Sequence, residues 1–500
     1  MSGTVRGAGW HGSGKVGRDS ARRGRWTALG APLTAEAMNL LDATIVQVAG
    51  PTMHADLRGP VSDIQWFGTA YTLPFAVLLI TGGRLGDILG RRRVFRIGVA
   101  GFLLGSVACA LAPTAGALIA FRAVQGGAAA LVVPQTIGLI RAMFAGAELP
   151  RALGCIGPVM GLAAVLGPVL GGVLTHADLF GSSWHAVFLV NVPLAAAVLA
   201  VAPAMPEDRA PHRPGLDPVG TLLAAAAVGL VVYPLVGPGA GGAARWASVA
   251  SGLLVGVGFA VHQRAAAPTG RRPLVESSLF ARRTFPAALV TSALFFAVST
   301  GMTLVVVLQM RLGQGADVRT AGLTLLPWSA GMGVASWVAG RLLVPRLGHR
   351  LMYGGLGLVL AGLAGCAAVY GGLYGSTPGR PPVALLAALG LVGVGVGLFT
   401  SASFTAALAV VRPTEVGSAA GLLNAVQQTG ATLGVTVLGS IYLGVSAGAG
   451  SVSPGAVTPG AVTSGAAHGA QVAVLTAAGL VVATLAGSAL MREPHRGRLP

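Results

Sequence analysis

Charge is the scarcest commodity in this chain. Only 10% of its 500 residues are Asp, Glu, Lys or Arg, where soluble proteins carry about 25%. Too few polar groups are present to cover water-facing domains, which excludes a soluble globular enzyme. Disorder throughout is excluded as well, because it needs high charge density and low hydrophobicity. Lysine is nearly missing: Lys15 is the one lysine among 33 basic residues. Cys109, Cys155 and Cys366 are scattered through apolar stretches and make neither a disulfide framework nor a metal pattern. The nine histidines fall in loops, tails and helix ends, so no metal site is indicated.

What is abundant is apolar surface, 54% of residues, and glycine, 77 of 500. About fourteen apolar runs lie near 27–50, 64–83, 94–112, 116–140, 153–174, 184–203, 218–236, 246–262, 286–310, 320–340, 351–371, 382–403, 417–443 and 468–490. Each is long enough to cross the hydrocarbon layer as a helix. Glycine at this density would break helices in water, whereas in lipid small residues let helices pack closely. A β-barrel would show alternating ten-residue strands instead. The chain therefore reads as an all-α polytopic membrane protein.

The net charge of +18 follows the positive-inside rule and does not indicate nucleic acid. With a cytoplasmic amino terminus, 27 basic residues fall inside and five outside (Arg58, Arg245, Arg311, Arg319 and Arg380), while Arg122 lies within a span. Trp66, Trp184 and Trp246 open spans at the outer face, as an aromatic belt would. Gly9 to Lys15 has phosphate-loop spacing, but Val16 stands where Ser or Thr is required and no strand precedes it. Arg22-Arg23 precedes a run too long for a signal peptide.

The link after the second span runs from Gly83-Arg84-Leu85 through Asp87 and Gly90 to Arg91-Arg92-Arg93, and a degraded echo, Gly340-Arg341-Leu342 to Gly348-His349-Arg350, follows the tenth. The offset of eight spans makes spans 9–14 a repeat of spans 1–6, with two spans inserted. Repeated six-helix units are what a rocking two-bundle transporter requires. The organisation is then a basic disordered cytoplasmic tail over 1–26, an N-terminal bundle over 27–203, a linker with two inserted helices over 204–285, a C-terminal bundle over 286–490 and a cytoplasmic tail over 491–500. The uncharged segment 446–467 reads as a flexible external loop.

Four motifs and one further segment carry a family resemblance. They are Leu41-Asp42 to Pro51 in the first span, Gly83 to Arg93, Arg122 followed by Gln125-Gly126-Gly127 in the fourth, Gly154 with Gly167-Pro168 and Gly171-Gly172 in the fifth, and Trp184 to Asn191 and Pro193 at the sixth. At these residues the chain resembles the major facilitator superfamily, specifically its fourteen-span drug:proton antiporter family. That resemblance implies a fold of two six-helix bundles plus two inserted helices. It also implies proton-coupled efflux of drugs, antibiotics or similar lipophilic compounds across the bacterial cytoplasmic membrane, powered by the proton gradient with no bound cofactor. The partners expected are protons, a small amphiphilic substrate and the bilayer; the chain is read as a monomer and not as an enzyme. An exporter of one endogenous metabolite, such as an antibiotic, amino acid or siderophore, is the alternative.

An ionised acid in mid-membrane costs about 2.5–3.5 kcal/mol on insertion scales, so one that persists has a partner or a task. Glu36 and Asp42 are the acids well inside a span, and Arg122 is the buried cation. These three are the proton-coupling candidates. The resemblance places the first and fourth spans together, which makes a first-span carboxylate the partner expected for Arg122. Gly83, Asp87, Gly90, Arg91 and Arg92 form the expected gating loop, with Asp87 accepting bonds from a neighbouring helix terminus. Gly154, Gly167, Pro168, Gly171 and Gly172 are expected to bend and thin the fifth span. Gln125, Trp328, Asn424 and Gln427, together with Trp337 and Gln428, are the polar and aromatic residues placed to line a substrate cavity.

Overall fold

The computed structural model describes residues 13–144, 146, 148–178, 183–209, 215–236, 242–266, 277–280, 283–373, 380–409, 411, 416–449 and 459–491. Among the described residues the regular structure is helical, without a strand. The first half comprises α1 (Ser13–Leu57), α2 (Asp63–Leu89), α3 (Arg91–Ala110), α4 (Ala115–Met143), α5 (Glu148–Gly154), α6 (Ile156–Ala177), α7 (Ala186–Leu189) and α8 (Asn191–Val201). Two inserted helices follow, α9 (Pro218–Val236) and α10 (Gly242–Ala266). The second half comprises α11 (Thr284–Leu308), α12 (Val318–Thr324), α13 (Leu326–Val338), α14 (Val344–Leu347), α15 (Arg350–Ala368), α16 (Val383–Ala409), α17 (Val416–Ala449) and α18 (Pro459–Leu490).

Among the described residues, twelve stretches are long and apolar enough to cross a membrane. Two other segments, α1 and the α12–α13 pair, pack among them: α1 lies against α6, and α12 and α13 lie against α6 as well. The internal repeat is visible in the pairings. In the first half α2 packs on α4, α3 on α4, α1 on α6, and α8 on both α1 and α3. In the second half α13 packs on α16, α15 on α16, α11 on α17, and α18 on both α11 and α15. The halves meet along two seams, α2 with α17 and α6 with α12 and α13. Small residues permit that second approach: a Cβ on Gly172 would sit 2.9 Å from the Val318 carbonyl oxygen, and one on Gly161 3.4 Å from Gly333 Cα.

Three apolar runs are broken where proline removes a backbone donor. Pro158, Pro193 and Pro327 cannot bond the carbonyls of Gly154, Leu189 and Leu323. The helices accordingly part at Cys155, Val190 and Leu325. Thus the fifth span divides just after Gly154, while Pro168 lies inside the unbroken α6. The two glycine-loop echoes differ by one residue, Gly83 to Gly90 against Gly340 to Gly348. A π-helical turn at Ala339–Leu343 absorbs the extra residue, which is what such a bulge does inside a helix. Both loops then turn on a glycine in the left-handed half of backbone space, with φ of 105° at Gly90 and 52° at Gly348.

Several sequence expectations are corrected. The segment read as a disordered tail is helical from Ser13, and its end is anchored: Arg25 donates to the Met143 carbonyl at 3.4 Å and lies 3.7 Å from Glu148. Trp26 packs edge-on to Phe144. The remainder of that tail, residues 1–12, and most of the carboxy-terminal one, 492–500, lie outside the described residues. The described residues of the 446–467 segment are helix, because α17 continues to Ala449 and α18 begins at Pro459; residues 450–458 lie outside the described residues. Trp184 is not an interfacial anchor. It is fully buried, and its indole donates to Asp56 at 2.7 Å.

Candidate functional site

Five helices converge on one buried polar cluster in the first half. Asp42 of α1 and Arg122 of α4 are both 0% exposed, and Arg122 Nη1 stands 2.5 Å from Asp42 Oδ2. Gln125, one turn along α4, joins them: it accepts from Arg122 Nη1 at 2.7 Å and donates to Asp42 Oδ1 at 3.0 Å. Asn191, the first residue of α8, donates to the same Oδ1 at 2.8 Å. Its place there follows from the break that Pro193 imposes one turn earlier. Ser106 of α3 lies 2.8 Å from Gln125 Nε2 and 3.3 Å from Asn191 Nδ2. The Asp42 carboxylate thus receives three donors, while the Asn191 side-chain oxygen is buried without a hydrogen-bond partner.

The guanidinium is served less evenly. Arg122 Nε donates to the Phe67 carbonyl of α2 at 3.0 Å, but Nη2 is buried without a hydrogen-bond partner. Tyr71 lies under its face, 4.3 Å from ring centroid to guanidinium carbon, with Phe188 at 5.7 Å. Such stacking stabilises a cation removed from water. The Tyr71 hydroxyl in turn donates to Asn39 of α1. Close helix approach makes the arrangement possible: a Cβ on Gly126 would meet the Tyr71 backbone, with its carbonyl carbon at 2.8 Å.

A narrow cleft of about 20 Å³, room for about one water-sized sphere, opens beside the cluster. Arg122, Tyr71, Gln47, Thr72 and Thr300 give it polar or aromatic wall, and Val46, Leu304 and Val435 give it aliphatic wall. It lies between the two halves, since Thr300 and Leu304 belong to α11 and Val435 to α17. None of the residues expected to line a cavity is on the wall of this cleft. Gln125 is inside the cluster, Trp328 is packed in the core of the second half against Gly393 of α16, and Asn424 and Gln427 of α17 do not reach the cleft. Trp337 is half exposed and stacks with Arg341.

Glu36 is separate from the cluster. It lies beside Thr136 of α4, six residues before Asp42 and so rotated well away around the helix. Of the fifth-span residues, Gly167 and Gly171 let α6 lie close on α1, at Thr44 and Ile45, and Gly172 faces α12. They serve close packing, and the interruption expected among them sits at Cys155.

At the chain-terminus end, the Gly83 to Arg93 loop is held by the segment after α8. Arg91 Nη2 binds Asp87 at 2.7 Å, and Arg91 Nε lies 3.3 Å from Asp208. The Arg92 amide donates to Glu207 at 3.1 Å, and its guanidinium donates to the Met205 carbonyl at 2.8 Å. Asp87 therefore pairs with Arg91 across the Gly90 turn, where a neighbouring helix terminus was expected. The reason is spacing: the two side chains are four residues apart and meet at contact distance. A Cβ on Gly83 would lie 3.4 Å from Pro134 Cβ of α4.

At the opposite end, His176 of α6 lies 3.6 Å from Asp317, which caps α12 by accepting from the Thr320 amide at 3.0 Å. Hydrogen bonds from Thr320 hold the Asp317 carboxyl below the usual carboxylate range, helped by His176 and Arg311. Arg311 also reaches Thr52 of α1 at 3.3 Å.

Comparison with known proteins agrees with this architecture. Residues 33–435 match the family model described as Major Facilitator Superfamily. A "Probable actinorhodin transporter" of Streptomyces coelicolor is 42% identical over 84% of this chain and 73% of its own length. A puromycin resistance protein of Streptomyces alboniger is 32% identical, covering 92% of this chain and 90% of its own. A tetracenomycin C resistance and export protein of Streptomyces glaucescens is 32% identical over 84% and 76%. Among solved structures, an auto-inhibited POT family peptide transporter aligns with a TM-score of 0.62 at 15% identity, over 95% of this chain and 98% of that one; at that identity the likeness is one of fold. With a family match over most of its length and a transporter architecture built from repeated helical halves, the chain is a multi-pass membrane protein that belongs to the Major Facilitator Superfamily.

Proposed function

We propose that this protein is a proton-driven exporter of antibiotic-like lipophilic molecules, working by alternating access in the bacterial cytoplasmic membrane with both termini inside. The observation that carries the reading is the Asp42–Arg122 pair, fully buried in the first half, with Arg122 on the wall of the cleft between halves. Charges in such a place are retained for a task. In this scheme a proton entering from outside neutralises Asp42 and frees Arg122 from its partner. The loss of that ion pair favours the inward-facing arrangement, and return of the guanidinium expels the proton to the cytoplasm. Gln125 and Asn191, both bonded to Ser106, keep the carboxylate hydrogen-bonded through the cycle. Glu36 is a second proton site, and the clasped Gly83 to Arg93 loop is the cytoplasmic gate. The energy source is the proton gradient, with no bound cofactor and one chain as the working unit. The relatives named for antibiotic resistance and export support the substrate class.

A second reading, export of one particular metabolite, is favoured by relatives named for single compounds. A panel of toxic compounds in a sensitive host, with and without a protonophore, separates the two. Broad protection that collapses with the protonophore supports the first reading, and protection against one compound supports the second. Asp42→Asn should abolish protection at unchanged membrane abundance; full protection by that variant overturns the coupling role.

A further inference from the structure

The Asp42–Arg122 cluster is unequal in its hydrogen bonding. The carboxylate holds three donors, two of them amides that remain if the guanidinium leaves. The guanidinium holds the Phe67 carbonyl, Gln125 and one carboxylate oxygen, and keeps a buried nitrogen, Nη2, with no acceptor. An unserved donor in a dry site is costly, more so when charged. Arg122 also forms part of the wall of the cleft. The other polar wall groups, Gln47, Thr72 and Thr300, are uncharged, and Tyr71 offers an aromatic face. The cleft wall therefore carries a cation and no exposed anion.

We propose that Arg122 Nη2 is the docking point for an acidic oxygen of the exported compound, a carboxylate or phenolate on an aromatic body, and that the site discriminates against organic cations. This deepens the export reading, but it concerns binding alone. Cargo and Asp42 then share one guanidinium, so cargo binding loosens the same ion pair that proton entry breaks.

The test is equilibrium binding to the full chain in nanodiscs, without any pH gradient, using two probes with the same ring system: 1-pyrenebutyrate and 1-pyrenebutylammonium. Empty nanodiscs give the lipid background. The carboxylate should bind at least about tenfold more tightly, the scale of a hydrogen bond to a charged group. Asp42→Asn, which leaves the guanidinium unpaired, should tighten the carboxylate further. The double variant Asp42→Asn with Arg122→Gln, which removes both charges together, should erase the preference. Equal binding of the two probes, tighter binding of the ammonium, or a carboxylate preference that survives in the double variant would each overturn the proposal. A failure of proton-driven transport in vesicles, with these binding results intact, would overturn the export reading and leave the docking site standing.

Discussion

Gln125 mediates between Asp42 and Arg122, accepting from the guanidinium at 2.7 Å through one end of its amide and donating to the carboxylate at 3.0 Å through the other. This fixes which end of the amide faces which charge. It also makes the pair a three-membered unit whose middle member carries no charge.

Gln125→Leu removes that member without changing any formal charge. It takes a donor from both Asp42 and Ser106 and an acceptor from Arg122 inside the bundle. A buried group left unserved costs about 1–3 kcal/mol. The variant should melt several degrees lower in detergent and should shift the pH dependence of transport. Gln125→Asn should restore stability only in part, because its shorter arm cannot span both partners. An unaltered pH profile in both variants would show the amide to be filler.

Adjacent glycines in the fourth span should behave differently. A Cβ on Gly126 overlaps the Tyr71 backbone, whereas one on Gly127 meets only Leu78 Cδ1 at 3.5 Å. Gly126→Ala should therefore be destabilised by about 1–3 kcal/mol, the usual scale of overpacking, and Gly127→Ala should be close to wild type. Thermal denaturation of the two purified variants is the measurement, and equal melting would contradict the close approach of α2 and α4.

The clasp on the glycine loop can be followed through backbone amides. The Arg91 amide donates to the Asp208 carbonyl at 2.9 Å and the Arg92 amide to the Glu207 carboxylate at 3.1 Å. Exposed ion pairs are individually weak, at most about 1 kcal/mol. Glu207→Ala should accordingly raise hydrogen exchange at Arg92 by less than about tenfold while leaving Arg25 and Trp26 unaffected. No change at Arg92 would mean that the segment after α8 does not restrain the loop.

Asp317 combines two roles that substitutions can separate. As the cap of α12 it should tolerate Asn, which also caps helices, while Ala should cost about 1 kcal/mol. Both changes remove the charge facing His176. Because the Asp317 carboxyl is held below its usual range, its contribution to stability is full above the usual carboxylate range and is lost as pH falls through its lowered value. Asp317→Asn should therefore lose part of the acid-side decline in stability expected of the parent chain. Identical pH–stability curves would assign the residue a capping role alone.

The charged half of the site was legible in the residues because ionised groups are rare in apolar runs. Asp42 and Arg122 stand out against their surroundings, and their partnership follows once the first and fourth spans are neighbours. Gln125 was visible as a polar residue but was placed on a cavity wall, since sequence spacing does not say which face of α4 looks inward. Asn191 lay within a quoted motif without a role, and its signal was an amide next to a proline-induced helix break. Ser106 gives no signal, being one small hydroxyl among many small residues. The Arg92–Glu207 contact joins residues 115 positions apart, beyond anything local pattern can report. By contrast, the π-helical turn at Ala339–Leu343 had a readable cause, the single extra residue between Gly340 and Gly348.

The inserted hairpin has a geometrical consequence of its own. Helix α9 lies over the line where α2 and α17 meet, through Thr81 with Thr221 at 2.9 Å and Ser440 with the Leu235 carbonyl at 2.8 Å, and α10 stands outside it with most of its surface uncovered. No such fence stands along the α6–α13 line among the described residues. A solute dissolved among acyl chains thus meets a shielded flank and an open one, and photoreactive side chains introduced near Gly333 should capture it where those near Thr81 do not.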